Sequence, residues 1–154
     1  MGELTVPSPA AFDPSTHITI QDIAIDKRDN PSLVQIHLKV LKTDQERKGV
    51  SIFNGKTGDD ICPVAALTAS VATRDPGDGP LFQFKDRTPL TKDKFIHHVR
   101  AALSSAGYDP SLYAGHSFRI GAATTAAEWG IEDSTIKALG RWKSEAFHTY
   151  IRIP

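Results

Sequence analysis

The chain has 154 residues and one cysteine, Cys62, so it can form no internal disulfide and cannot by itself build a thiolate metal site. No apolar run approaches the length of a membrane span, and Met1-Gly2-Glu3 opens no signal peptide. There is no excess of charge of one sign: 18 Lys and Arg face 18 Asp and Glu, a balance that argues mildly against a nucleic-acid binder. Carboxylates are not clustered in the manner of a metal-dependent nuclease. The pair His97-His98 has no carboxylate or cysteine at ligand spacing, which leaves exposed helix histidines as its reading.

What is there reads as one soluble, intracellular, globular domain, with 40% hydrophobic and 23% charged residues and enough chain to bury a core. Basic residues are grouped although the sum is neutral. Lys39, Lys42, Arg47 and Lys48 crowd one segment, and Lys137, Arg141, Lys143 and Arg152 another. Taken alone, such groups are ordinary solvated faces.

The chemistry concentrates in Tyr113–Pro154. His116 and Arg119 are three apart, so on a helix they share a face and can reach one ligand. Imidazole moves a proton near neutral pH, while guanidinium keeps its charge and presents a fork of donors matched to phosphate oxygens. Gly115 precedes a helix expected over His116–Glu128, whose N-terminus adds free amides and a positive dipole end. Further on stand Arg141-Trp142-Lys143 and then Tyr150, a potential nucleophile. Alone, His-x-x-Arg more often marks a capped, salt-bridged helix start. Trp142 alone is ordinary core packing, and Ala146, Phe147 and Tyr150 fit one apolar stripe.

The segments GHSFRIGAATTAA and IKALGRWKSEAFHTYIR together resemble the C-terminal half of a tyrosine recombinase catalytic domain, of the type found in eukaryotic mobile elements. That resemblance implies an α+β fold, mostly helical with a small antiparallel β-sheet on one side. It implies DNA cleavage and rejoining through a 3′-phosphotyrosine, with no metal or nucleotide cofactor. Its partner would be double-stranded DNA, with room for a homo-oligomer on that DNA, no membrane, and a nuclear location. Carried over by residue, His116 and Arg119 are the His-x-x-Arg box, Tyr150 the nucleophile and Trp142 the usual His or Trp before it. Trp142 stands eight residues before Tyr150 where the family commonly has nine; Arg141 keeps the count with a different kind of side chain. A catalytic lysine is expected on a β-hairpin, Lys42 matching best and Lys48 second. Lys39, Arg47, Lys48, Arg141 and Lys143 are expected to contact DNA. Glu3 matches the acidic residue of the family's Arg-x-x-Glu box, whose arginine would fall one position before Met1. Residues 1–154 are thus expected to form a catalytic domain lacking its first arginine and the N-terminal core-binding domain, and so to be a poor recombinase or none. The alternative is a noncatalytic DNA-binding or protein-interaction domain descended from such an enzyme.

Elsewhere the patterning predicts a kinked or bulged strand over His17–Ile25 and a strand over Leu33–Val40 with Val34, Ile36, Leu38 and Val40 on one face. Lys42–Gly49 is a hairpin loop leading to a third strand. A helix starts at Pro63 with Val64, Leu67 and Val71 inward. Thr91 caps another, with Phe95, Val99, Ala102, Leu103 and Ala106 inward and Gly107 as its stop. A short helix over Glu132–Gly140 turns Ile131, Ile136 and Leu139 inward, and Ser144–Ile151 forms the last helix.

Overall fold

Val34, Ile36 and Leu38 alternate with Gln35 and His37, and in the computed structural model this alternation forms the central strand of a three-stranded antiparallel sheet. The structure describes residues 2–40, 48–74 and 77–152. The chain divides into two compact units, Met1–Phe95 and Ile96–Pro154. It mixes helix and sheet, as an α+β chain does. No helix among the described residues is long and apolar enough to cross a membrane.

In the first unit, β1 (Ile23–Ile25), β2 (Leu33–Leu38) and β3 (Val50–Gly55) lie in sequence order, with Ile36 opposite both Ile23 and Ile52 and Leu38 opposite Val50. This register buries Val34, Ile36 and Leu38 on one face. The expected hairpin is present as the β2–β3 pairing, although residues 41–47 of its loop lie outside the described residues. The strand expected over His17–Ile25 is shorter than its alternation implies. Thr19 and Asp22 form a capping box, the Asp22 carboxylate accepting from the Thr19 amide (2.8 Å) and hydroxyl (2.9 Å). That local bonding turns Ile20–Asp22 into a 3-10 turn, so the polar break is a turn and no bulge.

Helix α1 (Pro63–Ala72) starts as expected with proline in its first turn; Cys62 is its buried N-cap, accepting from the Ala65 amide. Val64 and Leu67 are buried with Ile18, Leu81 and the sheet residues in one core, and Val71 packs against it. The loop after α1 is held by a residue without sequence signal. Arg74 donates to the carbonyls of Pro80, Leu81 and Gly79 at 2.5, 2.7 and 2.8 Å, closing the loop with one fork of N–H groups.

Asp26 closes the β1–β2 turn, accepting from the Ser32 hydroxyl and from the amides of Ser32 (2.9 Å) and Leu33 (3.1 Å). These bonds, the Ser32 hydroxyl foremost, hold its carboxyl down at about 2. A folded-state value below the unfolded one means the stabilisation is present above the ordinary carboxylate range and is lost as pH falls toward the folded value. Asp26→Asn is therefore expected to be less stable than the parent in denaturant melts near neutral pH, with the gap closing as pH approaches about 2. A gap independent of pH would show that the charge of Asp26 is immaterial.

Helix α2 (Lys92–Ser105) begins where Thr91 accepts from the Lys94 amide at 3.3 Å, the expected N-cap. Its inward stripe is weaker than its spacing implies. Phe95, Val99 and Leu103 are half-buried, Ala102 and Ala106 are exposed, and no residue of α2 is fully buried. Gly107, at φ +83°, ends the turn that follows. His97 and His98 are exposed.

In the second unit, α3 (Ser117–Glu128), α4 (Asp133–Leu139) and a 3-10 segment, Glu145–Tyr150, pack on one another. Ala123, Ile136 and Phe147 are their buried centre, with Ala126, Ala127, Trp142, Tyr150 and Ile151 around it. Small residues on α3 admit Phe147, which is 0% exposed. Ile131 and Leu139, expected inward, are 40% and 75% exposed. With α4 only two turns long, its single buried position is filled by Ile136. The last expected helix is 3-10 in kind: Ser144 caps Ala146, and Thr149 bonds back to the Ala146 carbonyl at 2.7 Å.

Candidate functional site

The second unit brings four of the expected residues together. His116 is the residue before α3, in helical conformation (φ −74°, ψ −19°), and makes no side-chain cap; its carbonyl accepts the Ile120 amide at 2.9 Å. Its imidazole is thereby left exposed at the end of α3 where amides lack helical partners. Ser117, the first residue of α3, instead fastens the preceding turn, its hydroxyl accepting from the Ala114 amide at 2.9 Å. One turn on, Arg119 lays its guanidinium over the Trp142 ring, 4.7 Å from the centroid, and stands 6.0 Å from the Tyr150 ring. Its terminal nitrogen donates to the Gly140 carbonyl at 2.8 Å. The Tyr150 ring is 5.4 Å from that of Trp142 and 6.1 Å from that of His116. A planar cation on an indole face, with an imidazole and a phenol beside it, is a mixed cationic and aromatic surface with donors of the kind that bind oxyanions.

Two turns build this surface. After α4, Arg141 takes a left-handed conformation (φ +54°), uncommon outside glycine, and its amide bonds to the Ala138 carbonyl at 3.0 Å. The chain doubles back so that Trp142 lies over Gly140: a Cβ built on Gly140 would fall 1.5 Å from Cζ3 and 1.9 Å from Cε3 of the indole. Glycine is demanded here by the ring above it, since φ at Gly140 is an ordinary −79°. The second turn is the 3-10 segment, which buries Phe147 and swings Tyr150 back toward Trp142 and His116.

Charged groups outline the same region. Lys137 pairs with Glu145 and, as the main cause, holds its carboxyl below the usual carboxylate range. His148, expected to carry no chemistry, stands 3.5 Å from Glu145 and 3.7 Å from Asp133. Arg141 and Lys143 are exposed, while Trp142 and Tyr150 are half-buried.

The remaining expected residues belong to the first unit. Lys39 pairs with Asp22 at 2.7 Å and donates to the Pro14 carbonyl at 2.7 Å, so its ammonium is already neutralised within its own unit. Lys48 is exposed just before β3. Glu3 is half-buried beside a small cleft that it lines with Thr5, His17 and Leu81. Lys42 and Arg47 lie outside the described residues.

Sequence reasoning missed Gly140 and Thr124. By sequence Gly140 is only the end of the helix expected over Glu132–Gly140, and Thr124 has no assigned role within the helix expected over His116–Glu128. The Thr124 hydroxyl donates to the Tyr150 carbonyl at 3.2 Å and accepts from the Arg152 amide at 3.0 Å. Neither role has a local signature, because each depends on a residue brought back by a later turn.

No family model matches the chain. The chain is similar to an integrase/recombinase xerD homolog of Selenomonas ruminantium, at 34% identity over 143 residues. The match covers 88% of this chain and 41% of the relative, so the chain spans less than half the length of the protein it matches.

Proposed function

We propose that this chain is part of a tyrosine recombinase catalytic domain, which breaks and rejoins DNA strands through a phosphotyrosine on Tyr150. Its likeness to the xerD homolog supports the tyrosine recombinase family and DNA recombination in general. The observation that carries the finer reading is the convergence of His116, Arg119, Trp142 and Tyr150, with Arg119 within 4.7 to 6.0 Å of the two rings nearest it.

The step follows from the side chains. The Tyr150 hydroxyl attacks phosphorus, the bond to the 5′-oxygen breaks, and the phenolic proton passes to a base. A phenol is largely protonated at neutral pH, so this attack needs a base or a neighbouring cation. Arg119 and His116 hold the nonbridging oxygens as charge builds, and the Trp142 N–H donates to one of them. A hairpin lysine, Lys42 before Lys48, gives a proton to the departing 5′-oxygen. The ester energy stays in the phosphotyrosine, and a DNA hydroxyl reverses the step. No metal or nucleotide enters this scheme. Arg141, Lys143 and Lys48 would contact the phosphate backbone of double-stranded DNA.

A second reading has an observation of its own. The Arg119 guanidinium is engaged by the Gly140 carbonyl within its own unit, as a noncatalytic DNA-binding domain of the same descent would have it. A nicked suicide duplex, which loses its 5′ fragment on cleavage, separates the two. Covalent protein–DNA adduct mapped to Tyr150 by peptide mass is expected. Salt-sensitive DNA binding with no adduct after prolonged incubation would establish the binding domain instead.

A further inference from the structure

We infer that Thr124 is a positioning residue that fixes the backbone of the Tyr150 segment onto the helix carrying His116 and Arg119. As an assignment of catalytic consequence this rests on the recombinase reading; as an assignment of structure it does not. The segment Glu145–Tyr150 ends at Tyr150, where a carbonyl lacks a partner within its own turn. The Thr124 hydroxyl reaches it at 3.2 Å, and the same oxygen receives the Arg152 amide at 3.0 Å. One O–H therefore serves both sides of the chain just past the phenol. This use is particular, because a helical threonine ordinarily turns its hydroxyl to a carbonyl of its own preceding turn, as Thr68 does with Val64. Having a single proton to give, Thr124 gives it to Tyr150.

Besides the packing of its own ring and of Ile151, two anchors locate the phenol. Phe147, fully buried, holds the front of the segment, and Thr124 holds its end. Without the second anchor the ring would pivot about Phe147, and its 6.0 Å spacing from Arg119 and 6.1 Å from His116 would cease to be fixed. In a reaction that depends on alignment, displacements of this kind cost about ten- to a hundredfold in rate.

The test compares Thr124→Val, which keeps the shape and removes the hydroxyl, with Thr124→Ser, which keeps the hydroxyl. Amide exchange at Arg152, followed by NMR in the 154-residue chain, is expected to accelerate about tenfold in the valine variant and to be restored by serine. Single-turnover adduct formation should fall at least tenfold in the valine variant, with DNA affinity unchanged and serine near the parent. Unchanged Arg152 protection in Thr124→Val overturns the anchor, whatever the rate does. Faster exchange with an unchanged rate overturns its bearing on positioning. If no variant forms adduct, the recombinase reading fails, and Arg152 exchange still decides whether Thr124 holds the segment.

Discussion

Arg119→Ala is expected to slow covalent adduct formation on a nicked duplex by about a hundred- to a thousandfold while the protein stays folded. The two effects separate because Arg119 has two different kinds of partner. Its guanidinium bonds, among the described residues, to the Gly140 carbonyl and stacks on Trp142 from an exposed position. A bond of this kind contributes about 0.5 to 1.5 kcal/mol and an exposed cation–π contact about 0.5 to 1 kcal/mol, so stability falls modestly. In the proposed reaction the same guanidinium faces charge that grows on the nonbridging oxygens, where a missing donor costs far more. Arg119→Lys is expected to recover little. An ammonium cannot lie flat on the indole and reach the Gly140 carbonyl and a phosphate together. Single-turnover rates at saturating DNA, read beside thermal melts, check this. A rate for Arg119→Ala within a few-fold of the parent would remove Arg119 from the chemistry, and a collapsed melt would make its role one of support.

How much could be read from the sequence depends on how local each interaction is. His116 and Arg119 on one helix face follow from a spacing of three, and β2 follows from strict alternation. The Thr91 cap is similarly local. The pattern failed where short-range polar bonds competed with periodicity. At Thr19–Asp22 a capping box overrode the isoleucine alternation, and at Glu145–Tyr150 a tighter 3-10 winding replaced the α-helix. It failed again where an element was too short to bury a full stripe: α4 covers Ile136 and leaves Leu139 exposed. Within the site, the four side chains were legible as types of residue. What sets their distances was not, because Gly140, Arg141 and Thr124 act through contacts made after the chain has turned.

Gly140→Ala is the substitution in which this hidden layer should show most. By propensity alone it would stabilise: Gly140 has helical angles (φ −79°, ψ −6°), caps α4, and alanine restricts the unfolded chain more than glycine. Packing reverses the sign. The new methyl would lie 1.5 and 1.9 Å from two carbons of the Trp142 ring, too close for any small relaxation, so the indole must leave. With it go the Arg119 stack at 4.7 Å and the Tyr150 contact at 5.4 Å. Overpacking of this kind costs about 1 to 3 kcal/mol. We expect a lower melting temperature, red-shifted Trp142 emission recorded in a Trp129→Phe background, since Trp129 is 79% exposed and emits independently, and adduct formation reduced about as severely as by Arg119→Ala. Removing the ring in the double variant Gly140→Ala, Trp142→Ala should relieve the collision, because the three atoms nearest the new methyl all belong to that ring, while leaving the reaction impaired. A single Gly140→Ala variant that melts higher than the parent with unshifted emission would mean that the indole does not lie over Gly140. The surface proposed to meet a phosphate would then consist of His116, Arg119 and Tyr150 without it.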